Sequence, residues 1–372
     1  MTAFRFGHAA AQDWEAAVDA CLAQIGSVPA AANLGFVYAA DGLSEDLALI
    51  LDRLQTSTGV PHWVGTVGVG ICATGVEYYG EPALAVMLGE FPPGSFRVFS
   101  GLSGDSAAFE AEHGAWMREH PPYLALVHAD PAQPDLEDIL RQLAGRTSSG
   151  FLVGGLASAR EAVGFLADGV TRGGVSGVLF SEQVPIRTRL TQGCSPMGPH
   201  HQVTAAKRNI LIELDDHPAL EVLKADLGPQ LAEDLSRIGG FIFAGLPIPG
   251  SDTGDYLVRN LVGIDPNRGL LAIGQAVGEG DPILFCRRDR ESAQADLIRM
   301  LGVIRRGLEG TPRGGIYVSC LGRGINLFGE DSAELGLIRA ELGDFPLVGF
   351  YANGEISQDR LYGYTGVLTL FI

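Results

Sequence analysis

The chain of 372 residues carries 44 acidic and 26 basic side chains, a formal net charge of -18. Such an excess repels polyanions, which makes nucleic acid and anionic membrane surfaces poor partners. Apolar residues form 46% of the chain, enough for the cores of two or three domains, but no run of about 18 of them exists to span a bilayer. The start, "MTAFRFGHAAAQDWEAAVDACLAQIG", reads as a strand and an amphipathic helix with acids inside it, not as a signal peptide, so a cytoplasmic chain is expected.

One unit then recurs three times, over 33–91, 123–182 and 315–372. Each opens on a short apolar strand ("LGFVYAA", "YLALVHA", "IYVSC") followed by a polar turn. A helix comes next. Leu47, Ile50, Leu51 and Leu54 lie at i, i+3, i+4 and i+7; Leu136, Ile139, Leu140 and Leu143 repeat the spacing; Leu335, Ile338 and Leu342 keep most of it. This spacing sets one apolar stripe against a sheet. Asp331 and Glu334 resemble a capping box at the start of the third helix. Each helix leads to a strand holding Val64-Gly65, Val153-Gly154 or Val348-Gly349, and Leu47 to Val64 is the same distance as Leu136 to Val153. A glycine-rich bend and a second apolar strand complete the unit. The expected fold is α/β, with mixed sheets covered by helices and built from strand–helix–strand–strand units.

Between the second and third units lies a different insert. Residues 209–214 alternate as a strand, and Leu257–Ile264, Leu270–Gln275 and Ile283–Cys286 read as further antiparallel strands. A helix follows, with Leu297, Leu301, Ile304 and Leu308 on one face. Phe243–Asp255, "FAGLPIPGSDTGD", is rich in glycine and proline and reads as a mobile loop or lid. The expected domains are 1–222 and 223–372.

Chemistry is sparse before the last unit. Gly65, Gly68 and Gly70 fall short of a dinucleotide fingerprint, because a strand and not a helix is expected to follow them. His200 and His201 are adjacent, would point to opposite faces of an extended chain, and read as solvated loop residues. Cys21, Cys72, Cys194, Cys286 and Cys320 are odd in number and far apart, so reduced, mostly buried thiols are expected. Neither a cofactor nor a metal is expected.

The last unit is richer. "SCLGRG" sets Cys320 at a strand end with Arg323 in a glycine turn, and "FPLVGFYANGEI" runs from a buried strand through Asn353-Gly354 to Glu355. Ligands in open α/β sheets bind beyond the carboxyl ends of strands, so both turns are good addresses. Glu355 also fits a solvated turn acid, and Arg323 a helix-end cap.

"SCLGRG", "LVGFYANGEI" and "GYTGVL" together resemble the C-terminal half of FIST-domain proteins, and "GCSPMG", the "VGG" step and "GVGICATG" resemble the N-terminal half. The resemblance runs from about Asn33 to Ile372. The family carries a histidine shortly before its Gly-Tyr-Thr step, where this chain has Tyr362. The resemblance implies a sensory module for small ligands such as amino acids, with the signal leaving through a partner protein. It supplies no catalytic residues. In that reading Glu355 takes a ligand ammonium group and Arg323 its carboxylate, with the two residues pairing when no ligand is bound. Cys320, Gly324, Asn326 and Asn353 complete the pocket, and Phe350 and Tyr351 give it apolar walls. Two alternatives stand beside it: a hydrolase or transferase using Cys320 or Cys194, and an interaction scaffold whose pocket is vestigial.

Overall fold

The computed structural model describes residues 3–104, 106–160, 164–248 and 256–372. The chain forms two compact units, Met1–Thr191 with Leu297–Ile372, and Gln192–Asp296. The boundary expected near Val222 falls inside the second unit, because the insert folds as a body of its own and the chain then returns to the first.

The first unit starts with β1 (Arg5–Ala10), α1 (Trp14–Ile25), β2 (Leu34–Ala40), α2 (Leu47–Thr58), β3 (His62–Gly68), β4 (Gly70–Ala73), β5 (Val76–Tyr79) and β6 (Ala83–Gly89). The same succession repeats in β7 (Phe96–Leu102), α3 (Ser106–Glu119), β8 (Pro122–Ala129), α4 (Leu136–Ala144), β9 (Phe151–Leu156), β10 (Phe165–Ala167), β11 (Val170–Thr171) and β12 (Val175–Ser181). β13 (Ile186–Gln192) opens a third round, which the insert interrupts. The insert holds β14 (Cys194–Pro196), β15 (His201–Lys207), β16 (Ile210–Leu214), β17 (His217–Pro218), α5 (Ala219–Leu227), α6 (Pro229–Ala232), β18 (Ile242–Pro247), β19 (Tyr256–Asp265), β20 (Leu270–Ile273) and β21 (Pro282–Arg288). The round resumes with α7 (Arg290–Arg306), β22 (Gly314–Cys320), α8 (Ala333–Leu342), β23 (Leu347–Ala352), β24 (Glu355–Gln358), β25 (Arg360–Tyr362) and β26 (Thr365–Phe371).

Three sheets share one strand order: β1-β6-β2-β3-β10-β11, β7-β12-β8-β9-β24-β25 and β13-β26-β22-β23-β4-β5. In each, one parallel pair (β2/β3, β8/β9, β22/β23) is joined through a helix. The hairpin after each parallel pair leaves for another sheet: β4–β5 extends the third, β10–β11 the first and β24–β25 the second. The sequence showed these hairpins only as glycine-rich bends. Strands of two to four residues, paired far from their own unit, carry too little periodicity to read.

The inner faces of all three sheets meet in one core that includes Phe36, Leu126, Val153, Ile316, Phe350 and Phe371. α1 and α2 cover the outer face of the first sheet, and α3 and α4 that of the second. The Val-Gly steps explain how parallel strands fit here. Gly65, Gly154 and Gly349 stand opposite Val37, Val127 and Tyr317. A Cβ on any of the three would lie 1.8 Å from the carbonyl oxygen of the opposite residue. Only glycine permits that approach.

The second unit is antiparallel. β21, β15, β16, β20, β19 and β18 pair in turn, and β18 pairs again with β21, so the hydrogen bonding closes into a ring. Its polar anchor corrects the loop reading of His201. The ring lies in β15, nearly buried, with Nδ1 2.6 Å from Asp215 and Nε2 2.9 Å from Asp226. Burial opposes its charge, but the two carboxylates win and raise its pKa. His200 is exposed, as expected. The stretch read as a lid divides: Phe243–Pro247 belongs to β18, and residues 249–255 lie outside the described residues. Among the described residues no helix is long and apolar enough to cross a membrane.

Gly349→Ala should therefore lower the unfolding free energy in urea by at least about 2 kcal/mol, since backbone must move to admit the methyl group. Gly336→Ala, in α8 with nothing within 4 Å, should raise it by about 0.5–1 kcal/mol. Equal effects of the two changes would contradict the close-approach reading.

Candidate functional site

The third sheet breaks the apolar pattern of the other two. The registers align Tyr317 with Val37 and Val127, Ser319 with Ala39 and Ala129, and Tyr351 with Val67 and Leu156. Where two sheets present aliphatic side chains to a covering helix, the third presents hydroxyls. A local break in an otherwise consistent pattern marks a place under a different demand.

That demand centres on Arg323 and Glu334, both fully buried. Nε of Arg323 donates to Glu334 Oε1 at 2.8 Å, and Nη2 lies 2.7 Å from the same oxygen. Glu334 also accepts from Tyr317 Oη at 2.6 Å, from Ser319 Oγ at 3.2 Å and from the Gly324 N–H at 2.8 Å. Burial works against the Arg323 charge, but the Glu334 carboxylate keeps the guanidinium ionised. Its plane also lies over the Phe328 ring, 5.0 Å from the centroid. Nη1 has no partner.

Glu77 ties in the exchanged hairpin. Its carboxylate accepts the N–H groups of Glu334 and Leu335 at 3.1 and 3.3 Å, capping α8 from another part of the chain. The local capping box expected from Asp331 and Glu334 does not form. Ser332 occupies the cap position at φ 54 without a side-chain cap, and Glu334 turns inward to Arg323. Burial first, and then the charge of Glu334, push the Glu77 pKa up to about 7.

Glu355 lies at the start of β24, opposite Gly155 and Tyr362. It is fully buried. Oε2 accepts from the Thr365 N–H at 3.0 Å and Thr365 Oγ1 at 2.8 Å; among the described residues Oε1 has no hydrogen-bond partner, with the Cys320 thiol lying beside the carboxyl. Burial lifts this carboxyl to about 8, against the pull of Thr365, Arg323 and the neighbouring Cys320 thiol. The half-buried Cys320 accepts the Gly322 N–H at 3.5 Å. Burial and the Glu355 charge push the thiol pKa up, which works against a thiolate at Cys320. Tyr364, beside Thr365, takes φ 62, a conformation that is costly for an aromatic residue.

The expected site residues are thus only partly gathered. Because β22 and β23 are parallel, the Cys320 turn and the Asn353 turn do leave the same sheet edge. Cys320, Arg323, Gly324 and Glu355 cluster there, but Arg323 pairs with Glu334 and not with Glu355. Phe350 and Tyr351 cannot wall one pocket, since neighbours on a strand face opposite ways. Phe350 stacks on Tyr38 in the core, whereas Tyr351 meets Tyr79. Asn326 ties its own turn through Leu321 O, and the Asn353 side chain is exposed. Glu77, Tyr317, Thr365 and Glu334 were missed. Glu334 lies four residues before Ile338, on the apolar stripe, and a carboxylate there was a readable signal.

Removing one partner of a buried pair strands the other charge. Arg323→Met should cost about 3–5 kcal/mol of stability. Arg323→Met with Glu334→Gln should cost clearly less than the two single changes together; additive losses would mean the pair is not coupled. The raised carboxyls also give a pH dependence. Glu77 and Glu355 move from 4.5 to about 7 and 8 on folding, so the folded chain holds more protons. Their contribution is complete below pH 4.5 and is lost as pH rises through about 7 and 8. Glu355→Gln should flatten the upper part of that decline in melting temperature, and an unchanged slope would refute it.

Comparison with known proteins gives this arrangement a family. Residues 33–217 match the model of the FIST N domain, and residues 219–358 that of the FIST C domain. The break between the two regions falls inside the second compact unit. An uncharacterized protein of Mycobacterium tuberculosis is 31% identical over 335 residues, covering 87% of each chain. One of Mycobacterium bovis is 28% identical over 361 residues, covering 92% of this chain and 91% of its own. The chain belongs to the FIST-domain family, whose domains are associated with sensory and signal-transduction roles.

Proposed function

We propose that the chain is a small-ligand-binding sensory module, and that its ligand is an amine-bearing metabolite of the amino-acid class held against Glu355. One observation carries the reading: Glu355 is a buried carboxyl with one oxygen fixed by Thr365 and the other without a hydrogen-bond partner among the described residues. A buried acceptor left open is costly unless something occupies it. A ligand ammonium group would donate to Oε1. A ligand carboxylate would meet Arg323 through its Nη groups, since Glu334 takes the Nε hydrogen bond and holds Nη2 as an ion pair.

The protonation state shapes the response. With its pKa near 8, Glu355 is mostly neutral at pH 7. An ammonium ligand selects the ionised form, so binding expels a proton and costs about 1.4 kcal/mol for each pH unit below that pKa. Binding then turns a neutral buried group into a charge beside Cys320 and Arg323. The turn Gly324–Asn326 follows directly and exposes Ile325, a surface on which a signalling partner can read the change. The strained Tyr364 backbone fits a residue held in place for a function. The reading as an enzyme with a Cys320 nucleophile is weaker, because its thiol pKa is raised.

A thermal-shift panel of amino acids and small amines at pH 6.5 and pH 8 tests this. A stabilising ligand should act more strongly at pH 8 and should not be consumed. Glu355→Gln should weaken it by about 1.5–3 kcal/mol. Turnover of the ligand, or full binding to a folded Glu355→Gln variant, would overturn the proposal.

A further inference from the structure

The first strand of each round lies at the end of its sheet, and the third is chemically unlike the first. On β1, α1 is seated so closely that a Cβ at Gly7 would lie 2.3 Å from Cys21 O. On β13 the outward positions carry Arg187 and Arg189, both exposed, while Ile186 and Leu190 pack toward the core. Beside this strand is a cleft of about 260 Å³, and among the described residues no acidic one lines it. In a chain of net charge -18, that is an isolated positive site.

We propose that this cleft binds a small carboxylate with an apolar alkyl or aryl body. Arg187 and Arg189 are two residues apart on one face of a strand, roughly 7 Å along the chain. Among the described residues neither guanidinium is in an ion pair. Tyr123 adds a hydroxyl, and Phe151 and Ile304 give apolar wall. β13 ends its sheet, so one side of its backbone is not taken by a strand and can also donate. Arg187 lies against Gly307, where a Cβ would come 2.1 Å from Nη1. The last carbonyls of α7 favour a cation there, which holds Arg187 ready at the cleft. Planar guanidinium groups match a carboxylate through paired N–H bonds, and the apolar wall selects against hydrated inorganic anions. This site is separate from Glu355 and does not rest on the reading given for that residue.

The test is titration of the full chain with phenylacetate, followed by calorimetry or amide NMR shifts. Phenylacetamide serves as the neutral counterpart and inorganic phosphate as the anion without an apolar body. Phenylacetate should bind saturably, and both the amide and phosphate should bind at least about tenfold more weakly. The exposed double change Arg187→Gln with Arg189→Gln should weaken phenylacetate by a similar factor. No saturation by about 10 mM would overturn the proposal. Equal binding of phosphate, or undiminished binding to the folded double variant, would do the same.

Discussion

Arg323 and Glu334 carry opposite charges inside the protein with no solvent to screen them. Much of the third sheet's outer face is organised to make that tolerable. Tyr317 and Ser319 come from β22, the Gly324 N–H from the following turn, and Glu334 from the first turn of α8. Glu77 arrives on a hairpin from the first round and caps the same helix. One network thus joins strand, turn, helix and exchanged hairpin. A buried pair of this kind seldom adds net stability over an apolar core. The first and second sheets, with Val37, Ala39, Val127 and Ala129 at the matching positions, show the cheaper solution in the same chain. The third sheet has given up apolar packing for a fixed electrostatic environment at the edge where Cys320 and Glu355 meet.

The exchange of hairpins explains why that edge can be specialised alone. Each sheet is completed by strands from another round, so the three rounds fold together, yet each edge is lined by a different combination of residues. β24 brings Glu355 onto the second sheet while β22 and β26 bring Cys320 and Thr365 from the third. The carboxyl is therefore fixed by groups from two sheets around the shared core. Its burial is the cause of its raised pKa.

Much of the fold was legible in the sequence because it rests on long, regular signals. The stripes Leu47–Leu54 and Leu136–Leu143 became α2 and α4, and the Val-Gly steps became the close contacts of parallel strands. The exchange was not legible, since a strand as short as Phe165–Ala167 gives no sign of which sheet it joins. At the site, the turns of Cys320 and Glu355 could be brought together by the crossover rule. Which acid takes Arg323 could not. Glu334 looked like a helix cap in linear sequence; its place on the apolar stripe signals an inward carboxylate, but only the packing of α8 on β22 brings it to Arg323. Phe350 and Tyr351 stood side by side in sequence and face opposite ways in space, as strand geometry requires.

Glu355 is a buried carboxyl whose burial favours its proton near neutral pH and leaves one oxygen to offer. Carbon-13 NMR of side-chain carboxyl groups in glutamate-labelled protein measures this directly, with Glu355→Gln supplying the assignment. The resonance that vanishes in the variant should titrate near 8. A midpoint below about 5 for that resonance, the range of a solvated glutamate, would contradict it.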